Sequence, residues 1–358
     1  MKTVIQVVQH MQPGGIETMV LDLAKFCEQH EKTIIVSLEG DHKSALTNWP
    51  RLQPFADKMI FLNKQSGVQI SLIFKLKKLF KKLNADVIHT HHIGPLLYAG
   101  IAARLASVKC LIHTEHDAWH LQEKKRRNLQ RWVIRIAKPL LIADAETVAD
   151  AMRNHLSNNN IHIIRNGIDT KRFIPGNKAK ARLRLELPQD AMIVGCSGRL
   201  EEVKGHKNLI YAMALLPSTV HLALAGSGSL ENSLQHLVKA LGLDERIHFL
   251  GRIDDMPSFY QALNVFCLPS LNEGFPLSPL EAQACNIATV VTDVGGSRET
   301  LCPQSGKLVP ANNYNFMAST LTEMLKQKSK INSRTFVQQH GNVRRMAKAY
   351  SVLRYAGA

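Results

Sequence analysis

The chain has 358 residues, 45% of them hydrophobic and 21% charged, and carries 45 Lys and Arg against 29 Asp and Glu for a formal net charge of +16. That length exceeds one ordinary domain and suffices for two with cores of their own, while the charge asks for an anionic partner, either nucleic acid or a membrane surface. No apolar run approaches the roughly 20 residues of a spanning helix, the Met1–Val8 start is too short for a signal-peptide core, and the scattered cysteines include no C-x-x-C pair, so a cytoplasmic protein without disulfides or zinc is expected.

In chain order, β-branched runs at Thr3–Val8, Thr33–Ser37, Asp86–Thr90, Lys109–Thr114, Leu140–Ala143 and Ile161–Ile164 alternate with longer helical patterns. Such β-α-β alternation predicts parallel strands, crossover helices on both faces and ligand sites at the carboxyl ends of the strands. The first loop, Gln9–Ile16, carries Gly14-Gly15 ahead of a helix beginning near Ile16 or Glu17, where backbone can approach a ligand with no side chain between. A plain strand-to-helix turn explains the same pair. Leu72, Ile73, Leu76, Leu79, Phe80 and Leu83 recur at helical spacing with Lys75, Lys77, Lys78, Lys81 and Lys82 in the gaps, a basic amphipathic helix whose stripe suits a core and whose lysines suit an acidic surface. Glu115-His116-Asp117 sets a histidine at a strand end, placed to hydrogen-bond a hydroxyl, although His89, His91, His92 and His113 dilute that signal. Lys124, Lys125, Arg126, Arg127 and Arg131 stand close to Trp119 and Trp132, the mixture that peripheral proteins set against acidic headgroups.

The pattern breaks at Asn166-Gly167-Ile168-Asp169 and restarts with Met192–Ser197, His221–Ala225, Ile247–Leu250, Val265–Leu268 and Ala288–Val291. This predicts two doubly wound domains, 1–168 and 169–333, with helices at Tyr314–Lys328 and at 334–355 closing the chain. The loop Gly198–Gly205 sets Arg199 and Lys204 at a strand end, where they could clamp a diphosphate or pair with Glu201 and Glu202. Farther on, Leu271–Ala282 places Glu273 and Glu281 on either side of a turn bent by Gly274 and Pro276. Its backbone N–H groups suit a phosphate and its carboxylates suit sugar hydroxyls; alternatively Ser278, Pro279 and Glu281 form a capping box. Because side-chain cations and a helix terminus can neutralise a diphosphate, no metal is expected, and Asp254-Asp255 reads as an N-cap.

Gly14-Gly15-Ile16-Glu17, Asn166-Gly167-Ile168-Asp169, Gly198-Arg199 with Lys204-Gly205, and E-G-F-P-L-S-P-L-E-A from Glu273 resemble, in this order, the family 4 glycosyltransferases. The last stretch matches that family's E-x7-E motif. The resemblance implies an α/β GT-B fold: two Rossmann-like lobes facing a cleft, acceptor lobe first, nucleotide-sugar lobe second, the last helix crossing back. It implies that Glu273 faces the transferred sugar, that the backbone of Gly274, Phe275, Pro276 and Leu277 holds sugar and diphosphate, and that Glu281 holds the ribose. Arg199 and Lys204 would neutralise the leaving diphosphate, Gly14 and Gly15 would approach it from the other lobe, His116 would sit by the donor sugar and Leu250 beside the base. Transfer would proceed with retention, the leaving phosphate receiving the acceptor's proton, without cofactor or protein nucleophile. The expected protein is therefore a glycosyltransferase at the inner membrane face, acting on a glycan or lipid-linked acceptor in cell-surface polysaccharide synthesis. A nucleotide-sugar epimerase or hydrolase of the same fold is the second reading. A nucleic-acid binder is the third, disfavoured by 6% aromatic content and the lack of a zinc finger or RNA-binding motif.

Overall fold

A computed structural model describes residues 1–156, 158, 160–326 and 332–356. The chain divides into two compact units, one formed by residues 1–167 with the closing helix from Val343, the other by residues 168–342. In the first, β1 (Lys2–Val8), β2 (Glu31–Ser37), β3 (Met59–Phe61), β4 (Val87–His91), β5 (Cys110–Glu115), β6 (Leu140–Ala143) and β7 (Ile161–Ile163) form a parallel sheet in the order β3-β2-β1-β4-β5-β6-β7. In the second, β8 (Met192–Ser197), β9 (Val220–Ala225), β10 (Ile247–Phe249), β11 (Val265–Leu268), β12 (Ala288–Thr292) and β13 (Gly306–Val309) form another, in the order β10-β9-β8-β11-β12-β13. Helices cover both faces of such sheets, which is why the central strands are near-continuous apolar runs: Val4, Ile5, Val7 and Val8 of β1 and all of β11 are buried.

Both strand orders reverse beside the first strand of the unit, between β1 and β4 and between β8 and β11. At such a switch point consecutive loops leave in opposite directions and open a crevice at the carboxyl ends of the strands. The first unit thereby brings the Gln9–Gly15 loop beside His91 and His92, and the second brings Gly198–Gly205 beside Pro269–Leu277.

Two expectations change. The edge strands β3 and β13 were not foreseen, because M-I-F and G-K-L-V are short and carry little periodic signal. The closing stretch is two helices, Ser333–His340 and Val343–Ala356, rather than one from 334. Gly341 accepts from the Ile168 amide, and the Arg334 guanidinium donates to the Thr170, Phe173 and Ala284 carbonyls, so the first of these helices stays with the second unit and the return begins only at Val343. The helix beginning at Tyr314 runs to Lys326; the expected extension to residue 328 lies outside the described residues. The lysine-rich stripe forms the helix Ser71–Lys82, where Leu72, Leu76 and Phe80 enter the core against Ile5, Val7 and Val36 while Lys75, Lys78, Lys81 and Lys82 face solvent. Each such apolar burial stabilises by about 1.5–3 kcal/mol. Among the described residues no helix is long and apolar enough to cross a membrane.

Candidate active site

The second unit assembles most of the residues singled out in the sequence. Lys204 leaves the β8 loop and donates through Nζ to Glu273 Oε1 at 2.6 Å, and Ser270 Oγ donates to the same oxygen at 2.6 Å. Glu273 is buried, and its Oε2 has no hydrogen-bond partner among the described residues. A fixed carboxylate with one open lone-pair face is what a sugar hydroxyl requires of its acceptor. Arg199, in the same loop, is exposed and outside any ion pair among the described residues. Of its two expected alternative partners, Glu201 accepts from the Ser229 amide at 3.0 Å and from Ser229 Oγ at 2.7 Å.

The turn Gly274–Leu277 is held from behind. Gly296 N donates to Gly274 O at 2.8 Å, and Gly295 adopts φ +51° with its missing Cβ directed at the Glu273 carbonyl, so only glycine fits there. This β12 loop went unremarked in the sequence, where V-G-G-S looks like any strand-ending turn. The capping box does not form. The helix Ser278–Ala284 has Leu277 as N-cap with no side-chain bond, and Glu281 Oε2 instead accepts from Tyr260 OH at 2.7 Å, which also meets Ser197 Oγ at 3.1 Å. Burial and the neighbouring Glu281 carboxylate push the Tyr260 phenol well above its ordinary pKa, so it stays a donor and aims Glu281. Leu250 follows β10, and the next residue, Gly251, accepts from Gly226 N at 2.7 Å, which ties that segment to the loops at the same sheet end. Asp255 caps the helix Met256–Ala262, as its position suggested.

Gly14, Gly15 and His116 belong to the first unit and form a separate group. The helix Gly15–Lys25 starts on Gly14 with no side-chain cap and carries Glu17 in its first turn. Among the described residues, no atom beyond its chain neighbours and its own helix backbone lies within 4 Å of where a Gly15 Cβ would project, so crowding inside the protein does not explain that glycine. His116 is buried in a chain of hydrogen bonds: Asp144 Oδ2 to His116 Nδ1 at 3.0 Å, His116 Nε2 to His91 Nδ1 at 3.0 Å, and His91 Nε2 to Gln6 Oε1 at 2.9 Å. With Gln6 Oε1 accepting, the protons run one way along the chain, from a protonated Asp144 through two neutral imidazoles. The electrostatics agree in direction: burial raises Asp144 well above the usual carboxylate range, lowers His91 and, with His92, holds His116 at about 3. Both ring nitrogens of His116 are therefore engaged, which its sequence position did not reveal.

A second cluster lies beside it. Glu115 is fully buried and takes hydrogen bonds from Gln130 Nε2 at 2.7 Å, His113 Nε2 at 3.3 Å and His92 Nδ1 at 3.4 Å. Burial favours its neutral form, but those histidines outweigh it and hold the carboxyl well below its ordinary value. Among the described residues no group of three or more His, Cys, Asp or Glu side chains is placed to hold a metal ion.

Two families match, one to each half: the family described as Glycosyltransferase Family 4 over residues 13–172 and that described as Glycosyl transferases group 1 over residues 177–340. An Escherichia coli UDP-Gal:alpha-D-GlcNAc-diphosphoundecaprenol alpha-1,3-galactosyltransferase is 31% identical over 63% of this chain and 62% of its own, and a Mycolicibacterium gilvum D-inositol 3-phosphate glycosyltransferase is 32% identical over 67% and 58%. The chain thus spans about six-tenths of the length of these curated relatives. Anabaena HepE, solved in complex with UDP, superposes with a TM-score of 0.83 at 21% identity over 98% of both chains, a likeness of fold. The lipopolysaccharide outer core galactosyltransferase WaaB superposes with a TM-score of 0.72 at 17% identity over the whole of both chains.

Proposed function

The chain belongs to glycosyltransferase family 4 and has its GT-B fold, and from that premise we propose that it transfers a sugar, with retention, from a nucleotide-diphosphate sugar to a glycan or lipid-linked acceptor. The observation that carries this reading is the pairing of Lys204 with Glu273 at the β8/β11 switch point, with Arg199 exposed in the same loop. Arg199 and Lys204 would take up the charge that grows on the departing diphosphate, an interaction stronger in the transition state than before it. Glu273 Oε2 would accept from a hydroxyl of the transferred sugar, the Gly274–Leu277 backbone would hold sugar and diphosphate, and Glu281, aimed by Tyr260, would hold the ribose. Leu250 would border the base. As the glycosidic bond to phosphate breaks, the acceptor oxygen bonds to the same face of the anomeric carbon and its proton passes to the leaving phosphate, so no protein nucleophile or metal is called for. Gly14 and Gly15 would offer a ligand of the first unit a close backbone approach. His116 would border the donor sugar, with its nitrogens committed to Asp144 and His91.

A membrane-borne acceptor is supported by the surface of the first unit. On the helix Lys124–Ala137, Leu129, Trp132 and Ile136 are 39%, 52% and 40% exposed at helical spacing, next to exposed Lys124, Lys125, Arg126 and Arg135, with Trp119 also exposed. This helix and Ser71–Lys82 pack on one core cluster, so their cationic faces belong to one side of the sheet. The reading includes peripheral attachment at an anionic leaflet, and the E. coli relative's diphosphoundecaprenol-linked substrate is consistent with it.

A thermal-shift screen of nucleotide sugars tests the donor site, starting with UDP-glucose, which HepE was solved with. Incubation of the best binder with and without acceptor then separates transfer from hydrolysis or epimerisation. A protein that no nucleotide sugar stabilises does not have the proposed activity.

A further inference from the structure

His92 has features that neither the sequence nor the family membership accounts for. It is the first residue past β4, at the switch point of the first sheet, and its backbone sits at φ +69°, ψ 166°. That region is open almost exclusively to glycine, and a side chain persists there only where its surroundings enforce it. The ring is anchored on one edge: Nδ1 donates to the buried Glu115 carboxylate at 3.4 Å and lies 4.0 Å from Asp117 Oδ2. Its other nitrogen, Nε2, has no hydrogen-bond partner among the described residues, and the side chain is 31% exposed. His116, by contrast, lies edge-on to it at 5.5 Å with both nitrogens engaged.

We propose that His92 is a substrate-contacting residue of the first unit, its open Nε2 hydrogen-bonding a hydroxyl of the acceptor sugar while Asp117 accepts from a neighbouring hydroxyl. This deepens the reading of the chain as a sugar-transferring enzyme and rests on it. A sugar suits this place because its hydroxyls both donate and accept, serving the open Nε2 and the Asp117 carboxylate, which can only accept. Burial disfavours the His92 cation, but Glu115, Asp117 and Glu17 outweigh it and raise its pKa. Glu115 acts through His92 and is a positioning residue; its engagement by Gln130 and His113 leaves it no freedom to swing toward substrate.

The test uses full-length protein labelled with 15N-histidine, titrated in the presence of UDP with octyl β-D-glucoside, octyl β-D-galactoside and octyl N-acetyl-β-D-glucosaminide below their micelle concentrations. The expected result is movement of the His92 Nε2 resonance with at least one glycoside. For that glycoside, His92→Phe should weaken binding tenfold or more with UDP affinity unchanged, and His92→Gln, whose amide can donate or accept, should recover most of the loss. A merely structural His92 would lower the unfolding temperature of both variants without separating their glycoside affinities. An immobile His92 resonance with all three glycosides, or equal glycoside affinity in wild type and His92→Phe, overturns the proposal. Failure of the wild-type protein to bind UDP would instead overturn the donor site in the second unit.

Discussion

Lys204 and Arg199 leave the same strand end in different states of pairing, and that difference decides which of them reports cleanly on the chemistry. Removing Lys204 also strips a partner from the buried Glu273, so its loss mixes structure with function. Arg199 carries no such burden. Arg199→Ala should unfold at the wild-type temperature and lose about 10²–10³ in turnover, as when one donor to a developing anion is removed; a loss under about threefold, read by product release from the nucleotide sugar, would remove it from the site. In the first unit His120 is the reporter. Burial disfavours its charge, but Asp117 and Glu115 raise it to about 9 from an ordinary 6.5. A raised folded-state pKa contributes stability that is complete below about 6.5 and lost as pH rises through about 9. The unfolding temperature of the wild type should therefore decline across that window more steeply than that of His120→Gln, and parallel curves would contradict the ion pairing. The roles of His91, His92 and His120 were not legible in the sequence, because a histidine's partner depends on which strand ends the topology sets side by side.

Elements explain why one half of the site was readable and the other was not. Glu273 to Glu281 could be read because its chemistry is local: a turn, a helix start and two carboxylates lie within one short stretch. The local reading also misled, since Ser278, Pro279 and Glu281 satisfy every sequence requirement of a capping box, yet Tyr260, on a helix distant in sequence, takes the Glu281 carboxylate. Likewise β3 and β13, lying at sheet edges, needed no long β-branched run to pair. The β12 loop contributes through backbone shape alone, which no side-chain pattern announces. Gly295→Ala should force a Cβ toward the Glu273 carbonyl at an unfavourable φ, costing about 1–3 kcal/mol. Denaturant midpoints would show that cost, and the displaced Glu273 should weaken UDP-glucose binding as well; an unchanged midpoint with unchanged affinity would mean that the loop does not hold the turn.

On the scale of the whole molecule, the excess of cations would let a chain without a spanning helix among its described residues reach the proposed lipid-borne acceptor. Long-range attraction draws a strongly basic protein to an anionic leaflet, each lysine or arginine near the surface adding about 1 kcal/mol at ordinary salt. Attraction alone would be unspecific, and nucleic acid would compete for the same charge. The exposed Leu129, Trp132 and Ile136 supply a discriminating contribution, since apolar and indole side chains gain from the headgroup boundary and gain nothing from a duplex. Two variants separate these contributions. Replacing Lys124, Lys125 and Arg126 by Glu should reduce binding to phosphatidylserine-containing vesicles at least tenfold at low salt and flatten its salt dependence, because three attractions become repulsions. Trp132→Ser should leave the salt dependence intact and weaken vesicle binding at every ionic strength, while weak binding to DNA stays unchanged. Sedimentation with vesicles across a salt series reads both, and a triple-Glu variant that sediments like wild type would place the membrane contact elsewhere on the molecule.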